Sequence, residues 1–167
     1  VWVGTYGDGV YLLDREGNIK SHLTKQNNRL ATNYIFSIRE DMQHDIWLGG
    51  LDGELIMLEK RGMKMHKYDI NWVQSIEIVS KDKIAVATVN GFFIINKATG
   101  KVKQYSTSQE YNRLNASAYI VSMLFNSDGT VWLGTEGGGI NLYDMKKGNV
   151  KVITTKEGLP SNDIYSL

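Results

Sequence analysis

The stretch VWLGTEGGGINLYD, Val131 to Asp144, decides the fold because it recurs. The same signature reads VWVGTYGDGVYLLD from Val1 to Asp14 and IWLGGLDGELIMLE from Ile46 to Glu59. A worn copy, IAVATVNGFFIINK from Ile84 to Lys97, carries Ala85 where the others carry tryptophan. Trp2 precedes Trp47 by 45 residues, Trp47 precedes Ala85 by 38, and Ala85 precedes Trp132 by 47. A period of roughly 40–50 residues built from short strands belongs to β-propellers, whose blades have that length.

A second element keeps register with the first. NYIFSI from Asn33, NWVQSI from Asn71 and AYIVSM from Ala118 each begin 14 residues before the tryptophan position, and NDIYSL from Asn162 is a further copy. Length is constant inside this hairpin and drifts between units, as rigid hairpins joined by loops require. In the second unit, period-2 alternation and turn residues place strands at Tyr34–Glu40, Ile46–Gly49, Leu55–Glu59 and Met63–Tyr68. Glycines at Gly7, Gly9, Gly53, Gly91, Gly137 and Gly139 fall between the second and third strands, where turns need positive φ. The expected fold is all-β: a β-propeller segment of about four four-stranded blades, part of a larger propeller of the seven-bladed type. Repeat units are expected at 1–32, 33–70, 71–117 and 118–161, with a fifth starting at 162–167. Two readings of the ends stay open: a piece of a longer propeller, or a four-bladed ring closed by Asn162–Leu167 against Val1–Thr5.

Two further regularities follow from aligning the units. NIKSH, GMKMH, GKVKQY and GNVKVI set Lys20, Lys64, Lys103 and Lys151 in one outer-strand position, where lysine discourages edge pairing. His22 and His66 then share a neighbouring position with Tyr105 and Ile153. Trp2, Trp47 and Trp132 are expected in the core.

Composition excludes several functions. The chain has 167 residues, 42% of them hydrophobic, and a net charge of +1 from 19 basic and 18 acidic residues, so no electrostatic case exists for nucleic acid. With no cysteine there are neither disulfides nor thiolate metal sites. Apolar runs fall well short of the ~20 residues of a transmembrane helix, so this segment is not expected to contact membrane. No HExxH, CxxC, GxSxG or GxxxxGK[ST] occurs, and the three histidines are scattered. Neither a catalytic residue, a cofactor nor a metal is expected.

Binding candidates come from strand one and the loops entering it. The second position of strand one holds Tyr34, Trp72 and Tyr119, then Asp163. Aromatic faces beside amides suit sugars, whose apolar ring faces stack while hydroxyls find hydrogen-bond partners. The same aromatics could instead pack between blades. The loops Gln26–Arg29 and Glu110–Arg113 add Arg29, Tyr111, Asn112 and Arg113; arginine can clamp a carboxylate bidentately.

The order NDIYS, hairpin, VWLGTEGGGINLYD, lysine strand and TTKEGLPSND resembles the two-component regulator propeller repeat. The resemblance is strongest from Tyr119 to Leu167 and weakest around Ile84 to Asn96, which suggests locally different packing there. That repeat fills the periplasmic sensor region of hybrid histidine kinases in gut Bacteroidetes. The resemblance implies a periplasmic ectodomain of an inner-membrane receptor, binding an oligosaccharide to control polysaccharide-utilisation genes. Its implied partners are neighbouring blades or domains of the same receptor, and a homodimer. A propeller scaffold for protein contacts and a polysaccharide-cleaving propeller are the alternatives.

Overall fold

The computed structural model describes residues 1–27, 29–61, 64–105 and 119–167. It divides into two compact units, Val1–Ile76 and Glu77–Leu167, with strand β8 crossing the division.

The first unit holds two antiparallel meanders. One has three strands, β1 (Trp2–Gly4), β2 (Val10–Leu13) and β3 (Ile19–Leu23). The other has four, β4 (Ile35–Glu40), β5 (Ile46–Gly50), β6 (Leu55–Leu58) and β7 (Met65–Tyr68). These bounds lie within two residues of those read from alternation. The sheets share one core, in which Val10 and Leu23 meet Ile46, Leu48, Ile56 and Leu58. Gly4 lets them approach, because a Cβ there would lie 2.8 Å from Ile35 Cγ2.

The second unit repeats the plan. Its first sheet is β8 (Val73–Ser80), β9 (Lys83–Thr88), β10 (Gly91–Asn96) and β11 (Lys101–Tyr105). Its second is β12 (Ile120–Phe125), β13 (Thr130–Thr135), β14 (Ile140–Asp144) and β15 (Asn149–Ile153). Where tryptophan is lost, Ala85 is fully buried, and bulk returns two residues along on the same face. There Phe92, which pairs with Ala87, stacks on Tyr105 at 5.3 Å and meets Tyr143 edge-on at 5.3 Å. The expectation of altered packing at the worn copy is borne out.

Two alignments are corrected by the pairing register. Lys103 and Lys151 do share a position, opposite Ile94 and Leu142 and in line with Ala85 and Trp132. In that row the other units place Ser21, opposite Leu12, and His66, opposite Met57. A register shift between Leu12 and Leu13 displaces Lys20, and Lys64 lies before β7. For the same reason His22 and His66 are not equivalent, nor do they align with Tyr105 and Ile153. Among the tryptophans Trp47 is fully buried, whereas Trp2 and Trp132 are only half-buried. Trp2 lies on β1, which among the described residues pairs with β2 alone. Trp132 pairs with Leu124, itself exposed.

Residues 162–167 form no strand, yet they dock as β4 does. Ile164 N–H donates to the Thr135 carbonyl at 3.0 Å, as Ile35 N–H does to Thr5. The preceding loop is also a repeat, held by one set of side chains. Asn33 accepts from Lys25 N–H at 2.8 Å, and Asn162 accepts from Thr155 N–H at 2.9 Å. The backbone carbonyls of the same two asparagines accept from Gly9 and Gly139. In the second unit Thr154 and Glu157 cap the 3₁₀ turn Thr155–Glu157 reciprocally.

Turn carboxylates give the fold an acid limit. Asp14 lies below the ordinary 3.8 through Lys20 first, then Asn18 N–H, and Asp144 through the N–H groups of Lys147 and Lys146. Asp128 is lowered by the Thr130 hydroxyl and N–H, and Glu157 falls below 4.5 through the Thr154 hydroxyl and N–H. A carboxylate with a depressed folded-state pKa stabilises above its unfolded pKa, and that stability is lost as pH falls through the folded value. The denaturation midpoint is therefore expected to hold from neutrality to mildly acid pH and to fall below pH 4.5. Asp144→Asn should lower the midpoint at pH 7 and flatten the acid slope, read by urea unfolding at several pH values. An unchanged slope would remove this carboxylate from the account.

Candidate functional site

The loop before β4 and the turn after β1 form a cleft of about 270 Å³ in the first unit. Gly7, Lys25, Gln26, Thr32, Asn33, Tyr34 and Asp52 line it. Each polar side chain is placed by the loop's own bonding. Asn33 donates from Nδ2 to Gln26 Oε1 at 2.8 Å while its Oδ1 holds Lys25 N–H. The buried Thr32 hydroxyl donates to Asp52 Oδ1 at 2.6 Å and accepts from Tyr34 N–H at 3.1 Å. These bonds fix the backbone on both sides of Tyr34.

Beside the cleft stands an exposed aromatic cluster. The rings of Tyr6 and Tyr34 meet edge-on at 4.9 Å, and Phe36 lies 6.2 Å from Tyr6. Their exposures are 76%, 36% and 40%, high for aromatics in mutual contact. In the second unit the same framework carries Asp163 in place of Tyr34, and its carboxylate accepts from Gly137 N–H at 2.8 Å. The aspartate closes its own turn, whereas Tyr34 leaves the cleft lined and a ring free to stack.

The remaining candidates separate. Trp72 is 44% exposed with φ 58°, a conformation costly for a bulky residue. Among the described residues no ring contact joins it to Tyr34. Tyr119 lies in the other unit, partly exposed, with its carbonyl accepting from Glu136 N–H. Arg29 is exposed; its N–H donates to the Thr24 carbonyl, and it does not line the cleft. Tyr111, Asn112 and Arg113 lie outside the described residues.

Sequence reasoning missed Tyr6, Phe36, Lys25 and Asp52. A signal for Tyr6 existed: Leu51, Val89 and Glu136 occupy its place in the other signatures, so an aromatic there is unique. Asp52 could not be read, because only the fold brings it to Thr32, 20 residues earlier.

Chemically the cleft offers aromatic faces, an ammonium, a carboxylate and two amides, a set for holding a hydroxylated ring. Histidines elsewhere are tied to carboxylates: His66 to Glu59 at 2.5 Å, His44 to Glu40, and His22 to Asp8 at 3.6 Å. Tyr11 stacks on His22 and hydrogen-bonds Asp8, which raises its phenol pKa and makes it a poorer acid. Among the described residues no group of three or more potential ligands could hold a metal, and no helix is long and apolar enough to cross a membrane.

These sheets and their repeated turns define a class. They are those of a β-propeller segment, and residues 114–137 match the family described as two component regulator propeller. Two solved structures then match nearly its whole length. One is the extracellular domain assigned to the hybrid two component system BT3049 of B. thetaiotaomicron: 24% identity, TM-score 0.79, 99% of this chain and 22% of that one. The other is the corresponding domain of BT4673 from the same organism: 20% identity, TM-score 0.80, 99% of this chain and 23% of that one. At these identities the likeness is one of fold, and the chain spans less than a quarter of either structure. No curated protein matches the chain.

Proposed function

We propose that the chain is part of the extracytoplasmic, ligand-sensing propeller of a hybrid two-component receptor. It lies in the periplasm and binds a glycan fragment whose arrival controls polysaccharide-utilisation genes. The repeat units begin near residues 33, 71, 118 and 162, and the chain contacts further blades or domains of the receptor. It makes and breaks no bonds.

One observation carries the reading: the exposed Tyr6–Tyr34–Phe36 cluster stands beside a polar cleft whose side chains are already held in place. Preorganised polar groups next to a stacking face favour a sugar over an apolar ligand. The extracellular placement of BT3049 and BT4673 supports the compartment.

A thermal-shift screen against oligosaccharides tests it. A ligand at 100 times its Kd should stabilise the chain by about 2.7 kcal/mol. Tyr34→Ala and Lys25→Ala should remove the shift while leaving the unliganded melt nearly unchanged. Binding that survives both substitutions would move the site elsewhere. A panel without any hit would favour a scaffold.

A further inference from the structure

A second cleft, of about 290 Å³, lies in the other unit along the outer strand β11. We propose that it is a docking site for an acidic, extended segment of another protein domain, which adds to the edge of β11 and inserts one apolar side chain.

Register explains how the cleft forms. Lys101, Lys103 and Tyr105 alternate along β11 and so share a face, opposite Asn96, Ile94 and Phe92 of β10. Lys83 extends the Lys101–Asn96 row onto β9. Phe125 and Met145 supply the far wall. The apolar lining is half-buried against the unit's core, so the floor is packed and preformed. Three lysines ring the floor and no carboxylate lines it. Lys103 Nζ sits 4.5 Å above the Tyr105 ring, a placement that holds the ammonium over the cleft. Among the described residues none of the three forms an ion pair.

Edge and charge together select the occupant. The cleft, of about 290 Å³, has room for one large side chain. β11 ends its sheet, so among the described residues one side of its backbone carries no neighbouring strand. Main-chain pairing at such an edge supplies affinity, and pockets for alternate side chains supply specificity. Lysines on the edge repel a second copy of the same edge and attract a strand bearing carboxylates.

A fluorescein-labelled peptide alternating glutamate with phenylalanine and leucine is the probe, titrated by anisotropy. A peptide with lysine in place of each glutamate is the control. The acidic peptide should bind, weaken as salt rises, and lose at least tenfold in affinity in the double variant Lys101→Glu, Lys103→Glu. Circular dichroism should show that variant folded, since both side chains are exposed. Amides of Lys101–Tyr105 should exchange more slowly in the bound state. Absence of binding, an equal affinity for the basic peptide, or unchanged β11 exchange would overturn the proposal. So would a medium-chain fatty acid that binds with the same lysine dependence while the peptide does not.

Discussion

Trp47→Ala should destabilise the chain by about 3–5 kcal/mol, the range for a large aromatic removed from a core. Trp47 is fully buried, stacks on Tyr68 at 5.4 Å, and donates from its indole N–H to Asp41 Oδ2 at 2.9 Å. Asp41 is itself buried, and its other oxygen holds the N–H groups of Gln43 and Asp45. Truncation therefore opens a cavity and strips a donor from a buried carboxylate. Trp47→Phe separates the two effects: it keeps most of the volume and should cost about 1–3 kcal/mol for the lost partner. Trp132→Ala, at a half-buried position of the same signature, should cost clearly less. Urea unfolding followed by circular dichroism measures all three, and equal losses at positions 47 and 132 would defeat the argument.

The second large effect is expected at two glycines with the same surroundings. A Cβ at Gly9 would lie 2.2 Å from the Leu23 carbonyl oxygen, and one at Gly139 would lie 2.1 Å from that of Ile153. Their φ values are 75° and 71°. Each also accepts at its carbonyl from the N–H and hydroxyl of a threonine, Thr5 or Thr135. Alanine at either site incurs the left-handed cost of about 1–2 kcal/mol. It must also push back a backbone carbonyl, disturbing bonds worth about 1 kcal/mol each. The expected total is about 2–3 kcal/mol. Gly17→Ala is the control, because φ is 87° but nothing lies within 4 Å of the added atom. A loss at Gly17 as large as at Gly9 would mean that conformation alone, not contact, sets the cost.

Most of the fold was legible because local chemistry repeats. Period-2 alternation located β4 to β7 within two residues, and every glycine expected at positive φ between the second and third strands for which the backbone dihedral is given adopts it. The lysine alignment failed because letters were counted across a connection whose register is set by pairing with the neighbouring strand. The shift between Leu12 and Leu13 displaces Lys20, and Lys64 lies before β7 rather than on it. The tryptophans looked alike for a related reason: burial depends on what packs over a face, which spacing along one strand does not contain.

The candidate site divides in the same way. Tyr34 could be named from its place in the repeat, since strand one always presents that position at the loop. Its partners could not. Tyr6 reaches it through an isolated bridge between Tyr6 and Tyr34, and Asp52 meets Thr32 beyond the end of the β4–β5 pair. By itself the sequence determined the repeat, the hairpins, the turns and the all-β class, because each follows from contacts between residues close along the chain. Only the tertiary structure decided which tryptophan is core, which lysines share an edge and which loop opens a cleft. Those depend on side chains from separate strands meeting over distances that no local pattern encodes.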